Sequence, residues 1–385
     1  MPSRNAKGAG TIRQRKDGTW EARYTTGRNP GTGKQVQKSV YGKKQSEVRR
    51  KLSKATAELD VGTYIEPSRI TLSEWLSKWL ETYNRNVKVR TLQLYERTAN
   101  KRIIPAIGAV KLAKLDSVTI QKYYNSLTAE GLAAKTVRNI HGILHKSLSQ
   151  AVTLGYIARN PADGCELPKK AQIEIHPFEG NALKSFLKAI HGDEFERLFL
   201  VALYTGIREG EALGLPWDAI DFKKGTIRVY QQVALIKVGE QKYERQITPP
   251  KNGKERTFKV APSVMNLLRE ERVLQNQRKL IAGQVWNDSP LVFTNQIGQG
   301  LPRNTVYEHF KRAADTAGRP DARFHDLRHT FACSALENGI SPKTVSEMLG
   351  HASVAFTLDV YGHVTHNMQQ DSADKMEGFI QKLAK

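Results

Sequence analysis

The segment His325-Asp326-Leu327-Arg328-His329 is followed by Leu349-Gly350-His351 and, ten residues after that histidine, by Tyr361. An arginine can bind a phosphate through a planar fork of donors, and a histidine can transfer protons near neutral pH. A tyrosine hydroxyl can act as a nucleophile. Together these side chains supply the groups needed to attack a phosphodiester with a tyrosine and without a metal ion.

Two further basic residues lie upstream, each in a short polar segment. Arg208 stands in Thr205-Gly206-Ile207-Arg208-Glu209-Gly210-Glu211-Ala212-Leu213, and Lys251 stands in Pro250-Lys251-Asn252-Gly253-Lys254-Glu255-Arg256. Each segment alone is a weak indicator of function. The ordered set of two arginines, a lysine, two histidines and a tyrosine is a specific one.

A zinc site is the alternative for the histidines of the first segment. His325 and His329 are four residues apart and could share one face of a helix as metal ligands. However, the residues between them lack the glutamate of a His-Glu-x-x-His site, and Arg328 would repel a cation. We therefore predict no metal and no cofactor.

The charge of the chain indicates its partner. The formal net charge is +22, from 60 Lys and Arg against 38 Asp and Glu in 385 residues. Such an excess favours a polyanionic partner, above all nucleic acid, over the alternative of a merely soluble protein with a basic surface. Residues 1–60 hold 15 Lys and Arg against 5 Asp and Glu, which gives +10 and predicts a separate nucleic-acid contact there.

The cysteine content and the apolar pattern bear on location. Cys165 and Cys333 are the two cysteines, and no CxxC spacing occurs, which argues against a disulfide framework. No run of about 18 apolar residues could span a bilayer, and the N-terminus lacks the pattern of a secretory signal. We expect a cytosolic protein with no membrane association.

Residues 1–60 predict a three-stranded sheet followed by one helix. Asp17-Gly18 between two alternating runs is typical of a hairpin turn. Trp20, Ala22 and Tyr24 should face one side of the sheet and Glu21 and Arg23 the other. A basic sheet face of this kind can enter a DNA major groove, although it could also be the solvated face of an accessory domain. The DNA-binding candidates in this block are Arg13, Arg15, Arg23 and Lys38.

The remaining chain divides into two larger blocks and a tail. After a linker at 61–69, residues 70–165 predict an all-helical block whose polar faces offer Arg90 and Arg138 as DNA contacts, with solvated faces as the alternative. A second linker at 166–173 leads to residues 174–365, which mix helices with strands predicted at 225–230 and 255–260. Residues 366–385 resemble a short amphipathic helix. A chain of this length is too long for one typical core and is expected to form about two to three domains.

At Arg208, Lys251, His325, Arg328, His351 and Tyr361 the chain resembles the tyrosine recombinase (phage integrase) family. The resemblance extends to the flanking residues of each segment and to the helical second block, which is similar to the family's core-DNA-binding domain. The first block is similar to the AP2-like arm-binding domain of integrases from temperate phages and conjugative transposons. The resemblance therefore implies a multidomain α+β fold: a small sheet with a helix, an all-helical domain, and a mainly helical catalytic domain with a small antiparallel sheet.

The resemblance also implies roles for the residues. Tyr361 would attack a DNA phosphodiester to give a 3′-phosphotyrosine, and Arg208 with Arg328 would bind the non-bridging oxygens. Lys251 would be the general acid, with Lys254 as the alternative, while His325 would accept the tyrosine proton and His351 would contact the phosphate. Glu211 and Asp326 are predicted to orient the basic residues, with surface ion pairs as the alternative. His329 and His363 are predicted to be structural or to support the residues that act on the DNA.

Assembly and activity follow by analogy with the family. We expect a homotetramer that binds double-stranded DNA at core and arm sites, with an excisionase or DNA-bending protein as accessory partner. The tail could pack on its own protomer or be donated to a neighbour. The predicted activity is integration and excision of a prophage or conjugative transposon. The alternatives are a topoisomerase of type IB and a non-catalytic architectural DNA-binding protein.

Overall fold

The computed structural model of the protein describes residues 10–28, 32–60, 69–84, 86–170, 175–239, 242–362, 376–377 and 380–381. The chain forms two compact units, Met1–Ala171 and Gln172–Lys385. His363 and most of the predicted tail helix lie outside the described residues, as does nearly all of the linker predicted at 61–69. Among the described helices, none is long and apolar enough to cross a membrane.

The first unit begins with an antiparallel sheet of three strands in the order β1 (Thr11–Gln14), β2 (Trp20–Arg28) and β3 (Gln35–Gly42). Helix α1 (Gln45–Asp60) follows. One face of β2 packs on this helix because Ala22 and Tyr24 alternate inward, where Val48, Leu52 and Ala55 of α1 meet them. The predicted sheet and helix are confirmed.

Helices make up the rest of the first unit. They are α2 (Leu72–Tyr83), α3 (Val89–Thr98), α4 (Ile104–Ile107), α5 (Ser117–Ala129) and α6 (Ala134–Thr153). Thr71 caps α2 through a reciprocal pair of hydrogen bonds with Glu74. The sequence predicts a helix over Lys88–Arg102. In the structure a π-helical segment over Ala99–Ile103 joins α3 to α4, so the helical stretch continues past residue 102. The core lies around the buried rings of Trp75 and Trp79.

The second unit is mainly helical. Its helices are α7 (Gly180–Ile190), α8 (Glu196–Thr205), α9 (Glu209–Leu213), α10 (Pro262–Ala282), α11 (Arg303–Thr316), α12 (Phe324–Glu337), α13 (Pro342–Leu349) and α14 (Val354–Tyr361). Phe186, Phe199, Phe310 and Phe324 lie in its principal core. The predicted multidomain α+β fold is confirmed.

Two small antiparallel sheets complete the second unit. Strands β4 (Ile220–Asp221), β5 (Thr226–Val229) and β8 (Arg256–Lys259) form one sheet in that order. Strands β6 (Gln232–Val238) and β7 (Lys242–Thr248) form a hairpin that the sequence did not indicate. The apolar run Val233-Ala234-Leu235-Ile236 has no period that separates a strand from a helix, which explains the omission.

Helices α12 and α14, which carry His325, Arg328 and Tyr361, differ from the prediction. The sequence predicts a helix over His329–Asn338, but α12 starts at Phe324, so His325 and Arg328 lie in its first turns. Helix α14 was not predicted, because most of its side chains are exposed although many are apolar. Its buried residues are Thr357 and Tyr361, one turn apart on a single face.

Candidate active site

The C-terminal end of α13 is the point at which three arginines converge. The last carbonyl groups of a helix have no partner within the helix, and basic side chains can satisfy them. Here Gly350 closes the helix in a left-handed conformation, with φ +63°. Three successive carbonyls each accept a hydrogen bond from a different arginine: Met348 O from Arg256 Nε at 2.7 Å, Leu349 O from Arg328 Nη2 at 2.7 Å, and Gly350 O from Arg208 Nη2 at 3.3 Å.

Arg328 is the most deeply buried of the three, with 2% of its surface exposed. Its Nη1 donates to the carbonyl of Gly206 at 2.8 Å, so the guanidinium is held from two sides. Burial lowers the pKa of this guanidinium to about 9, and the charge of nearby Arg208 acts in the same direction. Arg328 is therefore still positively charged at neutral pH, in a place where little water screens it.

The carboxylate of Glu211 is 1% exposed and lies between two arginines. Its Oε1 accepts from Arg208 Nη1 at 2.8 Å and from Arg256 Nη1 at 3.1 Å, and its Oε2 accepts from Arg256 Nη2 at 2.6 Å. The Arg208 backbone N–H also donates to Oε2, at 2.9 Å. Burial opposes ionisation, yet Arg256 and then Arg208 hold the pKa of this carboxyl at about 2. Glu211 is thus an anion that contacts Arg208 directly.

Asp326 acts on the start of α12. Its side chain accepts from the backbone N–H of Arg323 at 2.8 Å, which satisfies a free donor at the helix N-terminus. Its other oxygen lies 3.7 Å from the Arg323 guanidinium. Asp326 therefore fixes the helix turn that carries His325 and Arg328 by way of Arg323, rather than by pairing with the Arg328 guanidinium.

Tyr361 is buried, with 1% of its surface exposed, in a small apolar cluster that includes Cys333, Leu336 and Leu349. Its hydroxyl lies 2.8 Å from Nδ1 of His329. Burial raises the pKa of the phenol to about 12, against the opposing charge of Arg328. The phenol is therefore protonated and sheltered from solvent in this conformation.

The histidine in contact with the phenol is His329, whereas His325 was expected to take its proton, and the roles of both remain predictions. The two rings are perpendicular, with centroids 4.9 Å apart, because they lie one helical turn apart on the same face of α12. Burial, then the charge of His329, lowers the pKa of His325 to about 3, so its ring is neutral at pH 7.

His351 contacts α14, the helix that carries Tyr361. Its Nδ1 lies 2.8 Å from Oγ1 of Thr357, and its ring is nearly parallel to that of Tyr361 with centroids 6.3 Å apart. Burial, then the charge of Arg328, lowers the pKa of His351 to about 3. The contact with Thr357 leaves Nε2 of this neutral ring as the nitrogen that can serve a ligand.

Lys251 lies in the exposed loop between β7 and β8. The next residue, Asn252, donates from Nδ2 to the carbonyl of Gly350 at 3.3 Å, the same carbonyl that Arg208 contacts. The loop thus reaches the end of α13 at the residue adjacent to Lys251. Lys254, the alternative, is also exposed and lies three residues further along, toward β8.

Comparison with known proteins assigns the family. A relative from Caldanaerobacter subterraneus subsp. tengcongensis, named tyrosine recombinase XerC-like, is 32% identical over 369 residues, which span 91% of this chain and 94% of the relative. The profile of the phage integrase family matches residues 178–368, and that of the phage integrase N-terminal SAM-like domain matches residues 71–128. The chain belongs to the phage integrase family. It is a tyrosine recombinase, an enzyme of site-specific DNA recombination.

Solved structures share the fold of this recombinase. A structure of the Tn1549 transposon integrase in complex with a circular intermediate DNA matches with a TM-score of 0.67 and 20% identity, over 80% of this chain and 99% of that one. A structure of a lambda integrase tetramer bound to a Holliday junction matches with a TM-score of 0.57 and 18% identity, over 92% and 96% of the two chains. At these identities the likeness establishes the fold.

Three of the predicted DNA-binding arginines of the recombinase share one side of the N-terminal sheet. Arg13 and Arg23 both bind Glu21, at 2.7 Å and 2.9 Å, and this carboxylate is 2% exposed although it lies on the face away from α1. Arg15 stacks on the ring of Tyr41, 5.4 Å from its centroid. Glu21 therefore holds two guanidiniums in fixed positions on an exposed face.

The other candidates differ in their surroundings. Lys38 pairs with Tyr24 in the sheet, so it lies on the face toward α1, whereas Arg13 and Arg23 lie on the opposite face. Arg138 donates to the carbonyl of Pro168 at 2.8 Å, a contact that anchors the segment after α6. Arg90 is exposed in the first turn of α3.

Sequence reasoning missed two residues that shape the site, Arg256 and Thr357. Arg256 was quoted only as part of the lysine segment, and its position at the start of a strand-forming pattern gave no indication of a contact with α13. Thr357 lies in the helix that was not predicted. Within the described part of the chain, no group of three or more histidine, cysteine, aspartate and glutamate side chains is placed to hold a metal ion.

Proposed function

We propose that this recombinase integrates and excises a mobile element, a prophage or a conjugative transposon, through a 3′-phosphotyrosine intermediate. The observation that carries the proposal is the convergence of Arg208 and Arg328 on the adjacent carbonyls of Leu349 and Gly350. Two guanidiniums held side by side can bind the non-bridging oxygens of one phosphate and stabilise the charge of a pentavalent transition state. The fold shared with the Tn1549 transposon integrase is consistent with this activity.

In the proposed reaction, the phenol oxygen of Tyr361 forms a bond to phosphorus, and the bond from phosphorus to the 5′ oxygen breaks. The phenol proton passes to a histidine of α12, either His325 or His329, of which His329 is the partner of the hydroxyl before α14 moves. Lys251 gives a proton to the departing 5′ oxygen. A 5′ hydroxyl of the partner strand then attacks the phosphotyrosine, so the energy of the phosphodiester is retained and no ATP is needed.

The buried position of Tyr361 adds one requirement to this scheme. A phenol that is 1% exposed cannot reach a phosphate, so α14 must move before attack. In this conformation the nucleophile is withdrawn, and Arg328, which is 2% exposed, must also become accessible before it can bind a phosphate. DNA binding and assembly of the complex would supply the energy for that movement.

We further propose that the protein works as a homotetramer on double-stranded DNA in the bacterial cytoplasm. The sheet of residues 1–60 would bind arm sites through Arg13, Arg15 and Arg23, and the helical block would bind core sites. The lambda integrase tetramer on a Holliday junction has the same fold, which supports this stoichiometry. An excisionase or DNA-bending protein is the expected accessory partner. The tail would be donated to a neighbouring protomer and pack against it.

The test uses a suicide duplex that carries the core site, nicked beside the cleavage point, after the junctions of the element have been sequenced. Wild-type protein should form a covalent adduct with DNA, and Tyr361→Phe should form none. Arg208→Lys should lose cleavage while it binds DNA nearly normally, because lysine lacks the bidentate fork. Absence of an adduct with wild-type protein would contradict the proposal. Recombination between two duplexes then separates a recombinase from a topoisomerase, which relaxes supercoils alone.

A further inference from the structure

Arg256 is a third arginine at the end of α13, and the proposed reaction gives it no part. Its side chain is 10% exposed, and all three of its nitrogens are in use. Nη1 and Nη2 bind the two oxygens of Glu211 at 3.1 Å and 2.6 Å, and Nε donates to Met348 O at 2.7 Å. A Cβ placed on Gly350 would come within 3.1 Å of this side chain. Arg256 is therefore packed tightly between α9 and α13.

One guanidinium here joins three segments that carry proposed catalytic residues. Arg256 opens β8, five residues after Lys251, while Glu211 is on the helix that begins beside Arg208. Met348 precedes His351 by three residues at the end of α13. A bidentate arginine–carboxylate pair is the geometry that best fixes both partners. Arg256 is thus placed to set the position of Arg208 relative to the end of α13.

The charges of the cluster point to a second effect. Glu211 is a buried anion that lies 2.8 Å from Arg208, and by itself it would cancel much of the charge that Arg208 offers to a phosphate. Arg256 supplies a compensating positive charge at 2.6 Å on the same carboxylate. With that charge present, Glu211 can orient Arg208 while Arg208 and Arg328 together keep an excess of positive charge.

We propose that Arg256 is a positioning residue for DNA cleavage, which neutralises Glu211 and holds it so that Arg208 binds the scissile phosphate at full charge. This inference rests on the proposed function. Arg256 does not contact the DNA in this scheme, so its loss should leave DNA binding nearly unchanged. Loss of Arg256 should instead slow the cleavage step, and the size of that decrease in rate should depend on the negative charge of the phosphate.

The chain offers a matched control elsewhere in the same unit. Arg278 is 15% exposed, binds the buried carboxylate of Glu271 at 3.0 Å and donates to the carbonyl of Thr294 at 3.4 Å. It therefore makes the same kinds of contact as Arg256, with a buried glutamate and a main-chain carbonyl, outside the proposed active site. Arg278→Gln measures what such a loss does to folding alone.

The experiment is single-turnover cleavage of the nicked suicide duplex by full-length protein, with an ordinary phosphate or a neutral methylphosphonate at the scissile position. Arg256→Gln should cleave the ordinary substrate about 10²-fold more slowly than wild type, as expected for a small displacement of a catalytic group. On methylphosphonate, the loss relative to wild type should shrink to about fivefold or less, since there is less charge to stabilise. Arg256→Lys, which keeps the charge but not the bidentate fork, should recover part of the rate.

The outcomes separate the possibilities. Arg278→Gln should cleave within about threefold of wild type, because it touches no group that acts on the phosphate. Equal losses on the two substrates, or a loss in Arg256→Gln no greater than in Arg278→Gln at a similar melting temperature, would overturn the inference. Failure of wild-type protein to cleave either substrate would overturn the proposed function itself, and the inference would fall with it.

Discussion

Nδ1 of His329 lies 2.8 Å from the phenol oxygen of Tyr361, and this hydrogen bond joins α12 to the C-terminal residue of α14. The phenol is surrounded by apolar side chains, so the histidine is its polar partner inside the protein. The bond is therefore expected to contribute to the stability of the fold.

Replacing His329 by alanine should destabilise the fold by about 1–3 kcal/mol, since the hydroxyl then stays buried without its partner. In Tyr361→Phe, which lacks the hydroxyl, the same replacement should cost less. Urea unfolding of the two single variants, the double variant and the wild type gives the coupling energy. Equal costs in the two backgrounds would mean that the hydrogen bond contributes nothing.

Stability should fall under mildly acidic conditions because of His325 and His351. Both have a pKa of about 3 in the folded protein, against an ordinary value of 6.5. Between these values the unfolded chain binds more protons than the folded one, so stability is complete above 6.5 and is lost as the pH falls toward 3. Melting temperatures across this range measure the effect. The double variant His325→Gln/His351→Gln should show a smaller decrease than wild type, and an equal decrease would contradict the prediction.

Gly350→Ala should damage both folding and cleavage. Its φ of +63° strains any side chain, and a Cβ would press on Arg256 at 3.1 Å. Gly318→Ala is the matched control, because Gly318 has a φ of +72° and a Cβ added there would meet no atom within 4 Å. Both variants should lose about 1–2 kcal/mol of stability from backbone strain. Only Gly350→Ala should also lose cleavage, and parallel behaviour of the two would argue against a role for the end of α13.

The N-terminal sheet should bind DNA through one face. Arg23→Gln should weaken binding to an arm site and reduce the slope of log K against log salt by about 0.9, the value for one phosphate contact. Lys38→Gln should change neither quantity much, because Lys38 lies on the face toward α1. Binding titrations at several salt concentrations test both. A larger effect at Lys38 than at Arg23 would reverse the assignment of the faces.

The sequence predicted those parts of the protein that local patterns determine. The sheet around Asp17-Gly18 and the strand at Arg256–Lys259 follow from turn chemistry and alternation. The six proposed catalytic positions could be found because residue types at characteristic spacings identify them. Their roles remain proposals.

Contacts between distant segments could not be predicted in this way. The burial of Glu21 depends on arginines from two strands, and the partner of Met348 O is 92 residues away in the chain. Helix α14 escaped detection because its apolar residues are largely exposed. The choice between His325 and His329 depends on which turn of α12 meets Tyr361, a matter of packing that spacing does not reveal.

The two buried residues of α14, Thr357 and Tyr361, are expected to move together. Thr357 holds the ring of His351 and Tyr361 is the proposed nucleophile, and the two lie one turn apart on the same short helix. Any motion of α14 that brings the phenol out also takes the threonine away from the imidazole. If α14 moves as a rigid helix, release of the phenol and release of His351 are one event, so a protomer with Tyr361 buried also has its His351 ring bound to Thr357.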